Sequence, residues 1–233
     1  MSHMLVKFQH VSKKYARQVA LQDVSFELPS GKIIGLIGVN GSGKSTMLKL
    51  MAGMIRPSSG KIIMNEHEIN GRIPEQVAFL PDGDELYSFY TVVETIEFFS
   101  SLYGDFDKKK AYEMLTFMEL PRDQQVKSLS KGNKGRLKII LALSRQVPLL
   151  LMDEPLSGLD PLVRSSIIKS LISFIDIEKQ TIIMSTHEVA EIEPLLDLVV
   201  LIHNGQLKAV QEVEQIRLTS SLSLVEWMKE TTK

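Results

Sequence analysis

Gly38-Val39-Asn40-Gly41-Ser42-Gly43-Lys44-Ser45-Thr46 stands between the apolar run Ile33–Ile37 and a stretch, Lys44–Met54, that reads as a helix closed by Arg56-Pro57. Its spacing, G-x-x-x-x-G-K-[ST], is that of a phosphate cradle, in the strand-to-helix setting the pattern requires. Glycines let the backbone curl so that successive N–H groups point at one anion. The helix that follows aims the positive end of its dipole at the same place. Lys44 adds a charge for β- and γ-phosphates, and the Ser45 hydroxyl can ligate Mg²⁺. Gly38, Asn40, Gly41, Ser42, Gly43, Lys44, Ser45 and Thr46 are therefore the candidate phosphate-binding residues. Alone, the loop specifies a nucleotide phosphate and no more, because kinases, GTPases and motor ATPases share it.

Working outward, Leu5–Phe8 and Val19–Leu28 carry short strand patterns that end at Pro29-Ser30-Gly31, and Lys61–Met64 and Gln76–Leu80 read as further strands. The pattern changes after Pro81. Thr91–Leu102, Ala111–Leu120 and Gly132–Arg145 have helical spacing. From Leu149 the alternation returns: strand Leu149–Met152, helix Pro161–Ile175, strand Thr181–Ser185, helix Glu188–Leu196, strand Leu198–His203. Strands alternating with helices predict a mainly parallel α/β sheet with helices on both faces. The helical block becomes an inserted lobe. The expected division is one domain over 1–233: a core of about 5–82 and 148–218, a lobe of about 83–147, and a tail of about 219–233.

Composition removes several classes of function. The net charge is -1, so no bulk attraction to nucleic acid or anionic lipid is expected. With no cysteine, disulfides, thiolate metal sites and thiol catalysis are excluded. Apolar runs such as Ile139–Leu143 are far shorter than the roughly 20 residues a spanning helix needs. No signal-peptide pattern is read at the N-terminus, and Met1-Ser2-His3 reads as a remnant ahead of a start at Met4.

Three further features sit downstream of the loop. Leu149-Leu150-Leu151-Met152-Asp153-Glu154 is an apolar strand ending in two carboxylates, and such a strand delivers its C-terminal residues to the ligand edge of the sheet. Asp153 is placed to hold Mg²⁺, and Glu154, pointing elsewhere, to polarise an attacking water. Without the phosphate loop, two solvated acids would read equally well. His187 follows the strand Thr181–Ser185 and could reach a γ-phosphate or hold Glu154 and water in line; a lone histidine is more often structural. Leu129-Ser130-Lys131-Gly132-Asn133 opens a helix, where a hydroxyl and free N–H groups make a second anion-binding terminus or a plain N-cap.

Taken in order, the phosphate loop, Ser130-x-Gly132, Leu150-Leu151-Met152-Asp153-Glu154, Ser157-Gly158-Leu159-Asp160 and His187 resemble the nucleotide-binding domain of ABC transporters from Leu5 to about Leu218. The resemblance implies a P-loop NTPase core with an antiparallel β subdomain near the N-terminus and an α-helical lobe. It implies ATP and Mg²⁺ as ligands and ATP hydrolysis as the activity. Tyr15 resembles the aromatic that stacks on adenine. Ser130, Gly132 and Asn133 resemble the signature that grips the γ-phosphate of ATP held by a second subunit. Asp160 resembles the residue that couples the two sites, Glu154 the general base. Implied partners are a second nucleotide-binding subunit, identical or not, and transmembrane permease subunits, with no nucleic acid. The implied location is cytoplasmic, on the inner face of the cell membrane. A soluble ABC ATPase acting on ribosome or DNA is the alternative, disfavoured by a single domain without sustained heptads or a basic face.

Two departures from the family pattern stand out. The usual Leu-Ser-Gly-Gly-Gln carries Lys131 in place of its first Gly and Asn133 in place of the Gln. Asp82 stands where the family has Gln; it can still ligate Mg²⁺ but cannot donate a hydrogen bond. Both departures are similar to variants in bacterial exporter motor subunits. The run Gly83-Asp84-Glu85-Leu86-Tyr87-Ser88-Phe89-Tyr90 is acidic, then aromatic. Leu86, Tyr87, Phe89 and Tyr90 are expected either to line a groove for a cytoplasmic helix of a membrane subunit or to pack the lobe onto the core. The apolar positions Leu222, Leu224, Val225, Trp227 and Met228 of the tail fit core packing or a partner equally. A GTPase is excluded because Asn133-Lys134-Gly135 is followed by Arg136 and not Asp.

Overall fold

The computed structural model describes residues 4–71, 75–83, 85–220 and 222–232. Met1–His3 and Asp84, both used in the sequence reading, lie outside the described residues. Two sheets organise the rest. The first is antiparallel, in the order β2 (Gln18–Pro29), β1 (Met4–Tyr15), β4 (Ser59–Met64), β5 (His67–Glu68). The second has the order β10 (Gln206–Glu212), β9 (Leu198–His203), β3 (Ile33–Ile37), β8 (Thr181–Thr186), β7 (Leu149–Asp153), β6 (Val77–Leu80). All its pairs are parallel except the edge pair of β10 with β9.

The large sheet is buried on both faces, and the alternation of its side chains shows it. Ile34, Leu36, Leu149, Leu151, Ile183, Val200 and Ile202 point into one apolar cluster. Ile37, Leu150, Met152, Ile182, Met184, Val199 and Leu201 point into the other. Continuous apolar runs in sequence thus become two-sided burial, as parallel strands require. The first face is covered by a helix and by the expected antiparallel subdomain. Helix α1 (Lys44–Met51) touches β7 and β8 on one side and β2 on the other, so a helix and then the antiparallel sheet cover it. Met47, Leu48, Leu50 and Met51 are all buried, which suits a helix held between two sheets.

The second face carries α2 (Val92–Leu102), α3 (Lys108–Phe117) and α4 (Lys131–Leu143), inserted between β6 and β7, with α5 (Pro161–Phe174) alongside. Local sequence sets their starts. Thr91 and Glu94 form a reciprocal capping box, Asp107 caps α3, Ser130 caps α4, and Asp160 caps α5 ahead of Pro161. Helix Glu188–Leu196 is not continuous: α6 (Val189–Ile192) gives way to a 3₁₀ turn, Glu193–Leu195, because Pro194 removes a donor. After β10 come α7 (Val213–Ser220) and α8 (Leu224–Thr231). Leu224 is buried, and Val225, Trp227 and Met228 pack on the second cluster, so the apolar tail positions face the core.

Candidate functional site

Strand register assembles the site. Ile37 of β3 pairs with Thr186 of β8, and Ser185 pairs with Asp153 of β7. The residues that follow each strand, Gly38, Glu154 and His187, therefore emerge at one edge of the sheet. The loop after β3 needs its glycines. Gly38 has φ 156, and a Cβ there would stand 2.2 Å from the Ile202 carbonyl oxygen. Gly43, at φ 112, would meet the Ala20 carbonyl at 2.8 Å. Both positions combine positive φ with backbone contact, which only glycine tolerates. The Ser42 hydroxyl in this cradle is buried with no hydrogen-bond partner.

Lys44 opens α1 and is only 5 % exposed. Its ammonium donates to the Gly38 carbonyl at 2.9 Å and lies 3.4 Å from Glu154 Oε1. The charge is thus already aimed into the loop and balanced by one carboxylate. Asp153 is buried. Its Oδ1 accepts from Ser45 Oγ at 3.0 Å and from Ser185 Oγ at 2.6 Å. Glu154 faces the other way: Oε2 contacts His187 Nδ1 at 2.8 Å and accepts from the His187 backbone N–H at 3.4 Å. Its φ of 48 is left-handed, a strain of about 1–3 kcal/mol that persists at sites where the surroundings fix it. The two adjacent acids are turned to opposite tasks, one toward the Ser45 hydroxyl and the other toward an imidazole and an ammonium.

A cavity of about 560 Å³ lies over this edge. Tyr15, Asn40, Gly41, Gly43, Lys44, Ser45, Thr46, Asp82, Glu154 and His187 line it. Gly38, Ser42 and Asp153 stand behind that lining. Tyr15 is half exposed at the rim, with the Lys13 ammonium 5.0 Å from its ring centroid. The Ser45, Asp153 and Asp82 oxygens form a hard donor set that suits Mg²⁺. Ser130, Gly132, Asn133 and Asp160 do not line the cavity. Ser130 Oγ accepts from the Asn133 N–H at 3.2 Å, and the Asn133 side-chain Oδ1 accepts from Arg136. Gly132 permits close helix packing: a Cβ there would be 2.8 Å from Val163 Cγ2 of α5. Asp160 accepts from the Leu162 and Val163 N–H groups.

Sequence reasoning missed Ser185, Gln18, Ala20 and Ser157. The last three line the cavity. Ser185 is fully buried and links both acids, donating to Asp153 and accepting from the Glu154 N–H at 2.9 Å. The available signal was a polar residue closing the apolar strand Ile182–Met184.

Comparison with known proteins bears on the family and the fold. The chain matches the ABC transporter family over residues 21–157. It is 32 % identical to the Nod factor export ATP-binding protein I of Cupriavidus metallidurans, over 87 % of this chain and 69 % of that protein. A solved structure of the ATP-binding subunit of an ABC transporter superposes with a TM-score of 0.87 at 30 % identity, covering 98 % of this chain and 100 % of the other. A dimeric post-hydrolysis state of the cassette MJ0796, bound to ADP and Pi, has the same fold at 23 % identity, with a TM-score of 0.79 over 90 % and 99 % of the two chains. A match over more than half the chain, a near-complete superposition and a phosphate loop facing two divided acids lead to one assignment: this chain belongs to the ABC transporter family as an ATP-binding domain, an ATPase.

Proposed function

We propose that two copies of this chain, or one copy and a similar subunit, close head to tail around ATP and drive export through separate membrane subunits. The single observation that carries the dimer is a division of labour. The cavity that holds the phosphate loop and Glu154 has no wall from Ser130, Gly132 or Asn133. The capped start of α4 is therefore left to serve a nucleotide on another molecule, by its hydroxyl and its N-terminal N–H groups. The dimeric MJ0796 cassette supports the same reading. Export is supported by the name of the Cupriavidus relative and by the Lys131, Asn133 and Asp82 departures.

Within each site, the loop N–H groups and Lys44 bind the phosphates, and Tyr15 takes the adenine. Ser45, Asp153 and Asp82 would hold Mg²⁺, which neutralises charge on the β- and γ-phosphate oxygens. Glu154 accepts a proton from the attacking water. His187 fixes the Glu154 carboxylate through Nδ1 and reaches the γ-phosphate side of the cavity. Asp160 holds the turn between the paired sites.

The membrane partner has a place to dock. A groove of about 860 Å³ separates β6 from the helical block, with Val77, Phe79, Leu86, Phe99, Leu102 and Tyr103 in its walls. Of the four residues expected there, Leu86 lines it. Tyr87, Phe89 and Tyr90 stack with one another and with Phe98 beside it. A short cytoplasmic helix with an apolar face fits such a groove.

Glu154→Gln tests the site. Its amide keeps the shape and loses the base, so hydrolysis falls about 10²–10⁴-fold while ATP binding remains. The variant then elutes as a dimer with ATP and as a monomer without it. Normal turnover by Glu154→Gln would remove the general-base role, and a variant that stays monomeric at saturating ATP would remove the dimer.

A further inference from the structure

Lys138 lies on α4 about two turns beyond the Ser130 cap, near 3.6 residues per turn. Its side chain is half-buried and crosses to the segment that follows β6. The ammonium donates to the Pro81 carbonyl at 2.7 Å and the Gly83 carbonyl at 2.8 Å, and the Asp82 carbonyl is 3.5 Å away. Strand β6 ends at Leu80, so these carbonyls have left the sheet ladder. An ammonium bonded to carbonyls makes charge-assisted hydrogen bonds, stronger than neutral ones. Lys138 thus anchors the backbone on either side of Asp82 to α4.

The position of that anchor is telling. Lys138 is in the wall of the docking groove. It is also in the wall of a smaller cavity of about 240 Å³ that contains Glu154, Asp82 and Ser157. Asp82, between the two tethered carbonyls, also lines the nucleotide cavity. One side chain thus stands at the partition between groove and nucleotide, tied to the loop between them and borne by the helix whose other end is Ser130.

We propose that Lys138 is a positioning residue: it fixes the Asp82 segment to α4, so that the metal-side loop and the serine-capped helix move as one body when the groove is filled. The dependence on Asp82 as a metal-side residue rests on the function proposed above; the tether itself does not. Lys138→Met keeps most of the side-chain length and removes the donors, whereas Lys138→Arg keeps a cation.

Hydrogen exchange of the full-length chain without nucleotide reads the tether directly. In Lys138→Met, amides in residues 79–90 exchange about tenfold faster or more, while peptides from the phosphate loop and β7 are unchanged. Lys138→Arg restores protection. Should Lys138→Met not fold, Lys138→Gln is measured in the same way. Equal exchange in residues 79–90 for the wild-type and neutral variants overturns the proposal. A second readout is the Mg²⁺ dependence of fluorescent ATP-analogue binding. Lys138→Met raises the half-saturating Mg²⁺ several-fold, and adding it to Asp82→Asn raises it no further. Independent, additive effects of the two substitutions also overturn the proposal. If Asp82→Asn alone leaves Mg²⁺ dependence untouched, the metal role of Asp82 is what fails, and the exchange result still decides the tether.

Discussion

Ser185 shows what a single hydroxyl contributes at this site. It donates to Asp153 and accepts from the Glu154 N–H, so one atom fixes two acids with different tasks. Ser185→Ala leaves the part-buried Glu154 N–H without its partner, at about 1 kcal/mol, and frees the Asp153 carboxylate to rotate. The expected result is kcat lowered about tenfold or more with ATP affinity nearly unchanged, measured by steady-state hydrolysis beside nucleotide titration. Gly38→Ala is harsher. Its methyl would meet the Ile202 carbonyl and the Ser42 hydroxyl, so ATP binding is lost outright in the same titration. Lys44, Asp153 and Glu154 were legible in the sequence because phosphate and metal chemistry dictate both residue type and spacing. Ser185 was not, since it acts through bonds to residues 31 and 32 positions away that only strand pairing brings together.

Elements were legible where burial is uniform and obscure where it is divided. The apolar strands β3, β7, β8 and β9 are near-continuous in sequence because the sheet is covered on both faces. Strand β10 alternates half-buried and exposed positions at the sheet edge, too weakly to be read. The break between α6 and its 3₁₀ turn was hidden by helical spacing that continues past Pro194. Arg164 of α5 bridges this region: its guanidinium donates to the Leu159 carbonyl at 3.2 Å, lies 3.5 Å from Glu188, and pairs with Glu191. It thereby links the turn before Asp160 to the segment after His187. Arg164→Ala leaves two acids facing each other without their cation. Because these groups are partly solvated, the expected loss is about 1 kcal/mol, or roughly 2–4 °C in Tm for a domain of this size. Scanning calorimetry checks it, and Arg164→Lys should recover only part, lacking the second fork.

At the scale of the whole molecule, the groove and the nucleotide cavity meet at one loop, where Pro81 lines the first and Asp82 the second. No helix among the described residues is long and apolar enough to cross a membrane. Leu102 is 55 % exposed at the groove, which makes Leu102→Asp a mild change for folding. It is expected to abolish copurification with the membrane subunits and transport driven by ATP, while hydrolysis by the isolated chain continues. Retained copurification would place the contact elsewhere. Of the two expectations for Leu86, Tyr87, Phe89 and Tyr90, a partner groove or packing of the lobe onto the core, the groove receives Leu86. Tyr87, Phe89 and Tyr90 instead satisfy one another by stacking, an arrangement that depends on Phe98 arriving from α2.

The separation of Ser130 from the cavity that holds Lys44 has a kinetic consequence. In the proposed head-to-tail dimer a molecule supplies half of each working site, so turnover would scale with the square of concentration while monomers predominate. Tenfold dilution then lowers activity per milligram about tenfold, by mass action alone. On the same proposal, anchoring two copies side by side on one membrane complex would replace bulk concentration with a local one of about millimolar, and the dependence on dilution would disappear. The same chain would idle when free and fire when tethered, with no inhibitor required.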